Sequence, residues 1–181
     1  IHELSAEELQ VYSGIGREFL QLIETTDMQK VYKMPILYSF YNHGNIRLAV
    51  TDEEVLESWK EFFDTGTNWK DFSNVNTYED YKKVTDKQHL SKAKRKDFPK
   101  VTSYEEYRKI TDKQHLSKAK SMPIKFLKAS GKGFFIDKDG YALGIRDELA
   151  DVIKVDAFKH QMKDIIEYRT MEYYRRRYVE N

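Results

Sequence analysis

The sequence predicts a mainly helical fold with small β-hairpins and a long C-terminal helix. Three observations carry this. Apolar residues recur at helical spacing through most of the chain. Capping boxes stand at Ser5-Ala6-Glu7-Glu8 and Thr51-Asp52-Glu53-Glu54. Alternating apolar residues flank Asp139-Gly140 between Phe134 and Ile145, a strong short-range hairpin signal.

In chain order, Leu9, Val11, Tyr12, Ile15, Phe19, Leu20 and Ile23 place an amphipathic helix over residues 6–25, in which Gly14 and Gly16 allow close packing. A short helical stretch at 28–33 precedes Met34-Pro35-Ile36, where proline suits the first position of a new helix. That helix stops at Asn42-His43-Gly44, and Ile46-Arg47-Leu48-Ala49-Val50 reads as a short strand. The second capping box opens a helix through Trp59 and Phe63 that ends at Gly66.

A duplicated block follows. Residues 70–94 and 96–120 share 18 identities in 25 positions at an offset of 26, and the run Thr85 to Lys94 returns unchanged as Thr111 to Lys120. Solenoids need about three or more units, so two copies indicate a tandem duplication inside a non-repetitive domain. In each copy Thr77 or Ser103 is expected to cap a first helix and Asp86 or Asp112 a second. Pro99 at the junction forbids one continuous helix.

Beyond the second copy, Met122-Pro123-Ile124 opens a helix to Ser130-Gly131, followed by the hairpin. Residues 147–153 read as a short helix. Asp156 opens the final helix, which carries Phe158, Met162, Ile165, Ile166, Met171 and Tyr174 and ends in Arg175-Arg176-Arg177.

The net charge of +1 conceals segregation. Residues 1–81 carry 6 Lys/Arg against 15 Asp/Glu, a net of −9; residues 82–133 carry 16 against 5, a net of +11; residues 134–181 net −1. A basic middle of this kind suits a polyanionic partner; the bland alternative is that the two halves face each other. There is no run of about 18 apolar residues, hence no expected membrane span. The absence of Cys excludes disulfides, thiolate zinc sites and Cys nucleophiles and fits a cytoplasmic chain. The absence of an initiator Met leads to the expectation of an excised domain or processed chain.

The order helix (104–110), helix (112–120), tight turn, helix (123–129), hairpin (134–145) is that of a winged helix, whose third helix would enter the major groove with the hairpin as wing. Residues 34–63 repeat the outline as a possible second, degenerate unit. The expected architecture is thus a winged-helix-like fold in up to two tandem units: an acidic half over 1–66, a duplicated helical insertion over 67–95, a winged unit over 96–155 and a C-terminal helix over 156–181.

Lys118, Lys120, Lys125, Lys128, Lys132 and, at the wing tip, Lys138 lie where such a reader meets phosphates, with Arg175, Arg176 and Arg177 as auxiliaries. Base-reading side chains are scarce on 123–130, so weak sequence preference on duplex DNA is expected. The competing class is a protein-interaction or coupling module that docks a partner through the acidic half. A third is a metal-dependent nuclease, for which Glu57…Lys60, Asp80…Lys82 and Glu148…Lys154 supply carboxylate–lysine pairs but on helices or loops. The five histidines lack metal-ligand spacing, Asp137-Lys138-Asp139-Gly140 lacks the remaining ligands of a calcium loop, and no phosphate-cradling glycine motif is present. No metal, cofactor or catalytic residue is therefore expected.

Gly66-Thr67-Asn68, the block from Tyr104 to Lys120 running into Met122-Pro123-Ile124-Lys125-Phe126-Leu127, and Ile166-Glu167-Tyr168-Arg169 with Tyr173-Tyr174 resemble the helical C-terminal accessory region of bacterial superfamily 2 DNA helicases of restriction and defence type. The resemblance covers about a third of the chain and includes no motor motif; the family pattern has the block once. It implies a DNA-handling accessory module, and carries over no ATPase activity.

Overall fold

The computed structural model describes residues 3–73 and 101–178. The expected helices of the first repeat copy and the Pro99 junction lie outside the described residues.

The expected N-terminal helix is two helices: α1 (Ala6–Val11), held by the Ser5/Glu8 capping box, and α2 (Gly14–Thr25). The break has a local cause. Gly14 sits at φ +64, a left-handed conformation that any side chain would resist. Gly16 serves the close approach instead, since a Cβ there would meet the Val152 side chain at 2.8 Å. The C-terminal end of α2 is closed by two cations. Arg169 Nη1 donates to the carbonyls of Ile23 (2.9 Å) and Thr26 (2.6 Å), and Lys33 Nζ donates to Thr26 Oγ1 (2.9 Å). Burial pushes the Lys33 ammonium below its ordinary pKa.

Helix α3 (Lys33–Phe40) is buried along nearly all its length. The stretch at 28–31 before it is turn rather than helix. The expected stop at Asn42-His43-Gly44 is a tight hairpin: β1 (Tyr41–Asn42) pairs antiparallel with β2 (Asn45–Ile46), while His43 (φ +46) and Gly44 (φ +85) take the left-handed turn positions. Strand β3 (Ala49–Val50) leads into α4 (Asp52–Asp64), whose Thr51/Glu54 capping box forms as the sequence indicates.

After a 3₁₀ turn (Asn68–Phe72) and the second-copy helices α5 (Tyr104–Arg108) and α6 (Asp112–Ala119), the chain departs from expectation. No tight turn separates α6 from the next helix. Helical backbone continues from Asp112 through a π-turn (Lys120–Ile124) into α7 (Lys125–Ser130). Pro123 cannot donate to the ladder and its ring crowds the carbonyl four residues back; the widened turn lets the helix pass it. The α6 cap also differs by one residue, with Thr111 accepting from Gln114 N at 3.2 Å and Asp112 in the first turn.

The hairpin forms with β4 (Phe135–Ile136) and β5 (Leu143–Ile145), Phe135 opposite Ile145. Strand β3 pairs with β5, Val50 opposite Leu143, so the sheet order is β3-β5-β4. The strand expected in the acidic half and the hairpin expected in the basic half therefore share one sheet. Residues 147–154 hold two 3₁₀ turns, Asp147–Leu149 and Val152–Lys154, in place of a single helix. The last helix, α8 (Asp156–Tyr178), matches expectation.

The buried side chains form one continuous core with two aromatic nests. In one, Phe19 packs on Phe134 (5.4 Å between ring centres), Phe135 and Phe158. In the other, Trp59, Phe63, Phe72, Tyr32, Tyr107 and His115 surround one another. The second nest draws on both repeat copies. Phe72 and the neighbouring Asp71 belong to the first, and both are buried: Phe72 packs against the second copy's Tyr107, and Asp71 accepts from Tyr173 and Tyr174 of α8.

Candidate nucleic-acid interface

The run from α6 through α7 presents one face to the core, through His115, Ala119, Pro123, Ile124 and Leu127. Its opposite face carries Ser121, Met122, Lys125, Phe126, Lys128 and Ala129 to solvent. The helix ends at Gly131, and Lys132, at φ +49, follows on the short link into β4. Helix face and hairpin are thus joined at a corner with exposed Lys125, Lys128 and Lys132 around it.

The expected phosphate-contacting residues divide into two groups. Lys125, Lys132 and Arg175 are exposed and have no carboxylate within ion-pairing distance among the described residues. The others have internal tasks. Lys120 reaches Asp52 at 2.6 Å, fastening the π-turn to the first turn of α4. Lys128 reaches Asp137 at 2.8 Å, fastening α7 to the hairpin. Arg176 pairs with Glu172 at 2.6 Å on the same helix, and the Lys118 ammonium lies 5.2 Å from the Tyr32 ring centre.

Lys138 does not project from a wing tip. Its stem lies over Gly144, where a Cβ would meet its Cδ at 2.6 Å, and its Nζ binds Asp147 at 2.7 Å, leaving the side chain 20% exposed. The side chain of Arg177 lies outside the described residues.

Exposed ion pairs such as Lys128–Asp137 contribute about 0–1 kcal/mol each, so a phosphate can replace the carboxylate at small cost. Lys138 is differently placed, because moving it would uncover the backbone at Gly144.

No protein-family model, curated protein or solved structure matches the chain. The site therefore stands on its own geometry.

A second concavity went unread in the sequence. A cleft of about 510 Å³ lies between α3, α4 and the β1–β2 hairpin, with Tyr38, Arg47, Glu54, Glu57, Glu61 and Phe62 among its walls. Glu54, Glu57 and Glu61 fall three and four residues apart, so their common face was available as a signal. Arg47 neutralises Glu54, and Tyr38, half-buried beside Glu167, has its hydroxyl pushed up to about 12, chiefly by burial. Among the described residues no three His, Cys, Asp or Glu side chains converge where a cation would be held. Of the carboxylate–lysine pairs weighed for nuclease chemistry, Glu148 is bound to Arg146 at 3.1 Å and Asp80…Lys82 lies outside the described residues.

Proposed function

We propose that the chain is a non-catalytic DNA-binding accessory module, built on a winged-helix-type unit and gripping the phosphate backbone of duplex DNA without strong sequence preference. One observation carries the reading. Helix, strand, helix, helix and hairpin follow in the order α3, β3, α4, α6–α7, β4–β5, with the lone strand pairing on the hairpin's second strand, and the exposed face of the last helix is cationic. In this scheme the helices come from both halves of the chain, and α5 with the duplicated segment is an insertion between the second and third helices.

Among the described residues, Lys125, Lys128, Lys132 and Arg175 offer exposed cations for phosphates. Contacts of this kind supply affinity and salt dependence rather than sequence choice. Fluorescence anisotropy with a duplex of arbitrary sequence at two salt concentrations tests the proposal. Affinity should fall steeply between 50 and 200 mM salt, by about 40- to 150-fold for three to four neutralised phosphates. Binding that is absent or indifferent to salt refutes it.

A protein-docking reading has one observation in its favour. Met122 (37% exposed) and Phe126 (52% exposed) lie one turn apart in the middle of the cationic face. An apolar centre with a polar rim is the anatomy of a protein interface. Replacing Phe126 with Ala separates the two: DNA affinity held mainly by phosphates survives it, whereas a protein contact centred there does not.

A further inference from the structure

We infer that the exposed face of α7 reads the C5-methyl groups of pyrimidines in the major groove, through Met122, Phe126 and Ala129, so that thymine-rich duplexes are preferred. This rests on the DNA-binding reading above and adds what the centre of that face touches.

The first support is what the face lacks. Between Ser121 and Ser130 there is no Arg, Asn, Gln, Asp or Glu. The guanidinium, carboxamide and carboxylate groups that pair with base edges in fixed geometry are therefore missing. Lys125, Lys128 and Lys132 are exposed around the face and serve phosphates.

The second support is what the centre offers instead. Met122 is 37% exposed, Phe126 is 52% exposed, and Ala129 is exposed with them. They stand at i, i+4 and i+7 on continuous helical backbone, which puts them in one stripe. The core contact of this stretch comes from the other side, through Ile124 (3% exposed) and Leu127 (1%). The Phe126 ring is thus left to solvent while its neighbours hold the helix in place.

The lysines beside the stripe select a polyanion, and the stripe selects within it. In the major groove the apolar feature of a base edge is the C5-methyl of thymine. The amino donors of cytosine and adenine find no carboxylate or carboxamide here to accept them. Met122 and Phe126, four residues apart, span about 6 Å of helix axis, close to two base-pair steps of about 3.4 Å each. Each methyl covered in this way should raise affinity by about fourfold.

Fluorescence anisotropy on matched duplexes tests this. An alternating A·T duplex is compared with the same duplex carrying uracil for thymine, and a G·C duplex is compared with its 5-methylcytosine form. Loss of the thymine methyls should weaken binding by at least about threefold, and the cytosine methyls should tighten it by a similar factor. Phe126→Ala should bind the thymine and uracil duplexes nearly alike. Its ring lies outside the core, and an unchanged urea midpoint confirms that the fold is intact. Lys125→Ala should weaken binding to both duplexes and preserve their ratio, because a phosphate contact is blind to the methyl. Steeply salt-dependent binding with equal affinity for thymine and uracil overturns the methyl reading and leaves the phosphate grip standing. A thymine preference that survives Phe126→Ala also overturns it, since DNA shape would then be the feature read. Absence of binding to any duplex overturns both.

Discussion

The indole Nε1 of Trp59 donates to Nδ1 of His115 at 3.2 Å inside the aromatic nest, fixing the imidazole as an acceptor. His115 is 3% exposed, and burial, with the Lys60 ammonium nearby, pushes its pKa down to about 4. The unfolded chain binds this proton near the ordinary value of about 6.5. Its contribution is therefore complete above pH 6.5 and is lost as pH falls from there through about 4. Denaturant midpoints across pH 7.5 to 4 should show a decline of up to about 3 kcal/mol from this group. His115→Gln, which does not titrate, should be flatter over the same interval; an unchanged slope contradicts the assignment.

Asp71 ties the 3₁₀ turn to the last helix. Its buried carboxyl accepts from the hydroxyls of Tyr173 and Tyr174, both at 2.6 Å, and its carbonyl accepts from Tyr32 at 2.7 Å. Asp71→Ala should destabilise the fold by about 2–4 kcal/mol, since two buried hydroxyls lose their acceptor. Tyr173→Phe or Tyr174→Phe should each cost about 1–2 kcal/mol, read from urea midpoints at constant slope.

Deleting residues 70–95 should leave a cooperatively folding protein. The deletion brings Lys96-Asp97-Phe98 directly after Trp69, restoring the Lys-Asp-Phe triplet whose aspartate and phenylalanine are buried in the intact chain. Pro99 then stands for Ser73 and loses the Ser73 N–H bond to the Lys70 carbonyl (3.0 Å), about 1 kcal/mol. Shortening the chain between Trp69 and Val101 by 26 residues gains about as much in closure entropy. Calorimetry should show one transition within a few degrees of the parent; loss of cooperative unfolding refutes the prediction.

On DNA, Lys125→Ala, Lys132→Ala and Arg175→Ala should each weaken binding and lower the salt slope by about one. Lys138→Ala should leave the slope unchanged and reduce thermal stability instead, because its ammonium is bound to Asp147 and its stem covers Gly144. Titrations at three salt concentrations distinguish the two classes of lysine.

Local signals carried much of the secondary structure. Both N-terminal capping boxes, the Asp139-Gly140 hairpin and the long last helix are decided by residues a few positions apart, and they form as read. Misreadings occurred where one residue has two local solutions. Gly14 breaks the first helix through its left-handed φ, and Pro123 is passed by a π-turn instead of starting a helix after a tight turn. The basic residues were legible as a set, but their division was not. Pairing of Lys120 with Asp52 joins residues 68 positions apart, and such distances are fixed only when the helices pack.

The sequence by itself determined the helical class, the caps, the hairpin turn, the charge segregation and the existence of a tandem duplication. These follow from backbone preference and from periodicity over short spans. Tertiary structure alone decided that Val50 pairs with Leu143 and joins the two halves in one sheet. It also decided that Phe72 of the first copy packs against Tyr107 of the second, and that Lys120 and Lys138 are engaged by Asp52 and Asp147. The reason is physical: burial of apolar area is a property of the whole packed chain, and partners far apart in sequence meet only when the elements that carry them pack together.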